Sequence, residues 1–347
     1  MRLAGLGIAA VTTWLPDTVE SVDEAIAAGR IAAAEAATIG VKELPVAREH
    51  HAAEMAVLAA RDALHAADAD AADLGALAHS WTFHQGYDSW SPAHYIADQL
   101  GVGRRAFPVG IQQVCNGAAA SVHLVGQMLR AEPSTGTALV TAADRYVSPV
   151  WDRWTSNPSV PCGDGAVAAV IRAAQPDDDA HLLSISQASA SELWATRRQP
   201  GGFTDGPTWH LGIDNRPSPA FYADGGFERF RAAAAEATGL AFRTALADAG
   251  VAADDPRLRY VVLPRLAPRV RALMYGETAE ALFPGKVLDL GERTGHLGSG
   301  DLLANLHDLV HHGWLEPGDI AVVASGGGGY SWSCLVAQVP STRGGAA

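Results

Sequence analysis

Apolar positions recur along this chain at two different spacings. Between residues 47 and 67, Ala53, Val57, Ala60 and Leu64 share one face of a predicted helix. Residues 21–38 are Ala-rich with the same spacing and predict a second. Leu74–Ser80 is short and apolar without helical periodicity, which predicts a buried strand. Asp98–Gly103 reads as the end of another helix, closed by glycine. The opening Met1–Val11 predicts a buried first strand because the turn residues Leu15-Pro16-Asp17 follow. It imitates a signal peptide only faintly, with no clear cleavage site.

One pattern occurs twice. Residues 115–129 predict a helix, followed by Ser134-Thr135-Gly136 and the strand that begins at Thr137. Residues 298–312 predict a helix, followed by Pro317-Gly318-Asp319 and the strand that begins at Ile320. Each unit then runs through a glycine-containing turn into one more apolar strand, from Gly165 in the first case and Tyr330 in the second. A helix–strand–strand unit near the end of each half points to internal duplication. The halves are taken as 1–174 and 175–347. Residues 187–225 lack periodicity and are rich in Gly, Pro and Trp, as expected of a binding loop or a plain surface insertion. The last residues, from Ser341, predict a frayed tail.

Composition narrows the classes of function. The chain has 347 residues, enough for a large core, and 48% of them are hydrophobic. Only 18% are charged, against about 25% in typical domains. A net charge of −13 argues against a nucleic-acid partner, which requires a basic face. No apolar run reaches the roughly 18 residues of a membrane span. Three scattered cysteines fit neither a disulfide framework nor a zinc site, and free thiols suggest a reducing cytoplasm. The pairs His50-His51 and His311-His312 lie in amphipathic stretches and read as solvated; no metal is expected.

Cys115 stands apart from the other two cysteines. The run Val114-Cys115-Asn116-Gly117 places its thiol at the mouth of a helix, where free N–H groups and the positive helix end favour thiolate. The alternative is a buried structural cysteine, the common fate of a free thiol. Cys162 and Cys334 fall within strand-like runs and take that structural reading.

The Cys115 segment resembles ketoacyl-ACP synthase III of the thiolase superfamily. So do Cys162-Gly163-Asp164-Gly165 with its apolar continuation, Ser325-Gly326-Gly327-Gly328-Gly329-Tyr330, and the opening Gly5-Leu6-Gly7 with Leu15-Pro16. These motifs follow the family order over nearly the whole chain. The resemblance implies an α/β protein with the thiolase-like duplicated five-layer α/β/α/β/α fold, and a homodimer. It also implies an acyl donor held as a thioester of coenzyme A or of the phosphopantetheine arm of a carrier protein or polyketide synthase carrier domain, with no other cofactor. Backbone N–H groups of Cys115 and Gly328 would form its oxyanion hole. Asp164 reads as a turn residue.

Two positions depart from the family pattern. Arginine (Arg265) stands where the family carries histidine, and His296 stands where it carries asparagine. Decarboxylative condensation uses two neutral donors beside the cysteine to hold an enolate. A Cys–His pair instead suits direct acyl transfer, with His296 deprotonating an incoming hydroxyl or amine. The departure resembles the synthase III-like acyltransferases of antibiotic and polyketide pathways, which act on a sugar, cyclitol or similar small acceptor. The alternatives are carbon–carbon bond formation with Arg265 and His296 as donors, or a non-catalytic relative that binds carrier proteins. His296 otherwise reads as a capping residue. Arg265, with Arg269 and Arg271, reads either as a docking site for an acidic carrier or coenzyme A phosphates, or as an internal ion-pair partner. Asp301 either orients His296 or favours a helix N-terminus. Trp81, Phe83 and Trp90 read either as a wall for substrate or as core.

Overall fold

The computed structural model describes residues 1–197 and 202–341. Gly201 of the irregular middle segment and the tail beyond Ser341 lie outside the described residues. Ten strands form one mixed sheet. In the first half they are β1 (Arg2–Trp14), β2 (Leu74–Ser80), β3 (Phe107–Ile111), β4 (Thr137–Asp144) and β5 (Gly165–Ala173). In the second half they are β6 (Ala180–Ser189), β7 (Leu258–Val262), β8 (Val287–Leu288), β9 (Ile320–Gly327) and β10 (Ser331–Gln338).

Their spatial order is β8-β7-β9-β10-β6-β1-β5-β4-β2-β3. Counted outward from the centre, the first half runs 1-5-4-2-3 and the second repeats it as 6-10-9-7-8. The halves meet where β1 and β6 pair antiparallel, Leu6 opposite Leu182. From each edge inward, two parallel pairings are followed by antiparallel ones.

Helices fill the layers. Helix α1 (Ala52–Ala66) and helix α2 (Pro92–Leu100) cover the outer face of the first half-sheet, where Met55, Leu64 and Ile96 pack with Leu77, Leu139 and Val170. Helix α4 (Gly226–Ala249) covers the outer face of the second, with Phe242 and Leu246 against Val261 and Val336. Helices α3 (Gly117–Ala131) and α5 (Asp301–His311) lie between the half-sheets and share one core with strands of both. Strands covered on both sides must be apolar without alternation, which is why β4, β5 and β9 read as continuous apolar runs. A helix between two sheets must be apolar on nearly every side, hence Gly117 through Val122 are all buried. This is the five-layer α/β/α/β/α arrangement.

The 21–38 stretch differs from expectation. It forms two short helices, Val22–Ala27 and Ala33–Ile39, because Gly29 adopts φ +68 between them. No helix among the described residues is long and apolar enough to cross a membrane.

Candidate active site

Cys115 lies on the turn from β3 into α3. The helix begins at Gly117, two residues later than expected, so the cysteine precedes the first turn. Val114 has φ +50, a conformation that branched side chains rarely adopt. Strain of this kind at a strand-to-helix turn projects the next side chain outward, and functional sites are where it is tolerated. Cys115 is partly exposed, whereas Cys162 and Cys334 are buried. Burial pushes both of those thiols up in pKa, leaving them unreactive. The outward-facing thiol is Cys115.

The surroundings hold this turn rigidly. Asn116, fully buried, donates from Nδ2 to Ser331 Oγ and Ser333 Oγ, each at 2.9 Å, tying the turn to β10. A side chain at Gly117 would collide with Ser80 Cβ at 2.7 Å and Ser299 Cβ at 3.0 Å. One at Gly327 would meet the backbone nitrogens of Cys115 and Asn116 at 2.9 Å. Gly327 is therefore glycine because it lies against the amides of the Cys115 turn.

His296 is brought in from the other half. Its N–H donates to Pro161 O at 2.8 Å and its carbonyl accepts from Gly163 N at 3.0 Å, so the segment around Cys162 clasps it. Its Nδ1 lies 2.6 Å from Asp301 Oδ2. A carboxylate only accepts, so Nδ1 carries the proton and Nε2 is turned toward Cys115. Nε2 is buried and has no hydrogen-bond partner at good geometry among the described residues. Burial alone would lower the pKa of this imidazole. The charge of Asp301, then that of the Cys115 sulfur, outweigh burial and hold it well above the ordinary value.

Asp301 opens α5 and is the orienting partner of His296. Its Oδ1 accepts from Leu297 N and its Oδ2 from Arg265 N, both at 2.8 Å. Burial would raise this carboxyl, but the neighbouring imidazole and then the Arg265 guanidinium keep it below the ordinary range.

The docking role expected of Arg265 is corrected by its position. The residue is 3% exposed. Its Nε donates to Asn305 Oδ1 at 2.9 Å, Nη1 to Thr294 Oγ1 at 2.8 Å and Nη2 to Asp308 Oδ2 at 2.7 Å. A guanidinium committed to three partners inside the protein cannot receive phosphates or a carrier surface. It braces α5 and, through its backbone N–H, the Asp301 carboxylate. Asp164 is likewise structural: its oxygens accept from the N–H groups of Ala47 and Tyr146, and Arg153 pairs with it.

Asp144, at the end of β4, was not anticipated. Its Oδ1 accepts from Thr82 N and Phe83 N, and its Oδ2 from the N–H and hydroxyl of Ser299. One carboxylate thus joins the loop after β2 to the loop that carries His296. Burial raises its pKa to about 6. The available signal was an acid closing an otherwise apolar strand, Thr137–Ala143.

Two cavities meet at Cys115 and His296. One, of about 610 Å³, is walled by aromatic rings that include Trp81, Phe83 and Trp90. The other, of about 190 Å³, runs between Phe221, Phe230, Val270 and Met274. Gly328 lines both. The middle segment supplies Trp209 and Ile213 to the first and Pro217 and Tyr222 to the second, so it forms walls of the site. Ligand atoms of His307, Asp308 and His312 lie within 4.8 Å of one another at the far end of α5, but Asp308 there is already paired with Arg265.

A duplicated five-layer fold with a cysteine on the strand–helix turn of one half and a histidine–aspartate pair from the other defines a thiolase-type enzyme of thioester chemistry. Comparison with known proteins narrows this class. Residues 109–191 match the model of 3-oxoacyl-[acyl-carrier-protein] synthase III, and residues 257–339 match that of its C-terminal part. The chain is a ketoacyl-ACP synthase III-like protein of the thiolase superfamily. It is 29% identical to β-ketoacyl-[acyl-carrier-protein] synthase III 5 of Streptomyces coelicolor over 80% of both chains. Among solved structures, ChlB3, an acyltransferase, superposes with a TM-score of 0.85 at 29% identity, covering 97% of this chain and 98% of that one. The synthase III of Pseudomonas aeruginosa, at 20% identity and a TM-score of 0.75 over 97% and 98%, shares the fold. The protein is thus a condensing or acyl-transfer enzyme.

Proposed function

We propose that this enzyme moves an acyl group from a coenzyme A or carrier-protein thioester onto Cys115 and then to a hydroxyl, or an amine, of a small-molecule acceptor such as a sugar or cyclitol. The observation that supports the reading is the His296–Asp301 pair beside Cys115, with the Arg265 guanidinium, which the condensation reading would use as a donor, committed to Asn305 and Asp308 instead.

In the first half-reaction the Cys115 sulfur attacks the thioester carbon and its proton passes to His296 Nε2. The tetrahedral oxygen is held by the N–H groups of Cys115 and Gly328. As the donor thiol leaves, it takes the proton back from His296. Acylation takes the Cys115 sulfur away as a partner of the imidazole, so one of the influences that raise the His296 pKa is gone. His296 then accepts the proton of the attacking hydroxyl, a contribution of roughly 10²–10⁴-fold in such systems. Collapse of the second tetrahedral adduct forms the ester and returns the proton to Cys115. Asp301 keeps Nδ1 protonated throughout, so Nε2 alone exchanges protons.

The second reading is decarboxylative carbon–carbon bond formation. The synthase name of the Streptomyces relative and both family models favours it, and on names alone it is the better supported. One experiment separates the two. The enzyme is incubated with acyl-coenzyme A and acyl-carrier thioesters, and the mass of Cys115 is followed before and after adding either alcohols or a malonyl donor. Transfer predicts discharge to an alcohol with no carbon dioxide released from malonyl thioester. Release of carbon dioxide coupled to loss of the acyl group would establish condensation. A Cys115 that never gains mass would exclude both.

A further inference from the structure

The end of α5 remote from Asp301 gathers side chains of a different chemistry. Asp308 Oδ1 lies 3.3 Å from His307 Nδ1 and 3.6 Å from His312 Nδ1. All three atoms lie within 4.8 Å of one another. Ligand atoms about 2.0–2.1 Å from a tetrahedral ion stand roughly 3.3 Å apart, so the two shorter separations come close to the edges of such a site. The helix supplies the convergence. His312 follows Asp308 by one turn and falls over the same face, and it is also the residue that ends the helix.

The pairing of Asp308 with Arg265 supports this arrangement. Arg265 Nη2 meets Oδ2 at 2.7 Å and leaves Oδ1 to face the two imidazoles. Carboxylates that ligate a metal through one oxygen are themselves oriented by hydrogen bonds from outer partners. The side chains of His307 and Asp308 are 20% and 18% exposed and that of His312 is 60% exposed, so an ion can enter from solvent past His312. The last carbonyls of α5 point toward this end, and a chain of net charge −13 attracts cations. His311 is engaged elsewhere. Its ring centroid lies 4.9 Å from that of His307, but its Nε2 meets Asp179 Oδ2 at 3.0 Å.

We propose that His307, Asp308 and His312 bind a divalent transition-metal ion, zinc by ligand preference, at the C-terminal end of α5. Two imidazole nitrogens and one carboxylate oxygen suit zinc, whereas magnesium and calcium take oxygen ligands throughout. Each imidazole presents an unprotonated Nδ1 to the ion and carries its proton on Nε2, and water completes the coordination. The run from Asp301 to Asp308 spans about 10 Å of helix, so the ion stands apart from the reacting atoms. Its role is structural: it ties the last turn of α5 to the residue that closes it. The site is independent of which acyl chemistry Cys115 performs.

The test uses the full chain carrying Cys115→Ala, so that the active-site thiol cannot take up metal. Zinc is titrated by calorimetry, and cobalt(II) is followed by its visible absorption bands and then displaced with zinc. One equivalent per chain is expected, with no displacement by excess magnesium or calcium. His307→Ala and His312→Ala are each expected to weaken binding by at least about tenfold, the scale on which even outer partners of a metal site act. Both are also expected to abolish the rise in thermal midpoint that zinc gives the parent protein. Asp308→Asn would disturb Arg265 as well, so the histidine variants carry the test. His311→Ala is expected to bind as tightly as the parent. No uptake by the parent, uptake unchanged in both His307→Ala and His312→Ala, or a loss in His311→Ala as large as theirs would overturn the proposed site.

Discussion

Replacing Asp301 with asparagine preserves shape and removes a charge. Oδ2 of the native residue takes both His296 Nδ1 at 2.6 Å and Arg265 N at 2.8 Å, while Oδ1 takes Leu297 N. An amide has one oxygen, so its NH₂ must face a donor in either orientation. With the oxygen kept toward His296, the N–H of Leu297 is left unpaired. With the amide flipped, NH₂ faces Nδ1 and holds the imidazole in the wrong tautomer. The unpaired buried donor costs about 1–3 kcal/mol of stability. The chemical cost is larger: discharge of acyl-Cys115 to the acceptor is expected to slow by roughly 10²–10⁴-fold, a barrier increase of about 3–5 kcal/mol. The assay loads Cys115, removes excess donor, adds acceptor and follows the acyl-enzyme mass by rapid quench across pH. Asp301 is the largest of the influences that raise His296, so its loss lowers the imidazole pKa. Neutral imidazole is then present at lower pH, and the limb along which discharge quickens with pH moves downward. A purely structural aspartate would slow the reaction without moving that limb. Discharge within about threefold of wild type, or an unmoved profile, would refute the role assigned to Asp301.

Three further outcomes follow from the same geometry. Arg265→Ala removes three internal hydrogen bonds and leaves Asp308 without its cation; about 3 kcal/mol of stability is expected to be lost in denaturant titration, with the donor KM of the remaining folded enzyme unchanged. Gly298→Ala places a methyl group 2.0 Å from Asp144 Oδ2 at a φ of +61, so about 2–5 kcal/mol of destabilisation is expected, seen as a lowered thermal midpoint. Asp144, raised by burial from 3.8 to about 6, binds its proton more tightly when folded, so its contribution to stability declines as pH rises across that interval. Thermal midpoints of Asp144→Asn are expected to lack that decline between pH 4 and 6, whatever the cost of the lost acceptor oxygen.

The sequence by itself determined the main strands and helices and marked a candidate thiol. Strands buried on both sides must be apolar throughout, and a helix between sheets must be largely apolar, so β4, β9, α3 and α5 were legible from their apolar runs and the turn residues between them. Cys115 was marked by its place at the mouth of a helix, with a structural thiol as the alternative, and His296 by its departure from the motif of the family the chain resembles. What the sequence left open was which side chains meet across the duplication. Asp301 read equally as a helix-start acid until its carboxylate was found 2.6 Å from His296 Nδ1. Arg265 read either as a docking cation or as an internal ion-pair partner until its guanidinium was found inside, against Thr294, Asn305 and Asp308. Asp144 joins residues 82 and 299, and Asn116 joins residues 331 and 333. Periodicity reports the burial of a position and not the partner waiting there. The direction of a charged side chain depends on what the other half of the chain presents to it, and only the packed tertiary structure decides that.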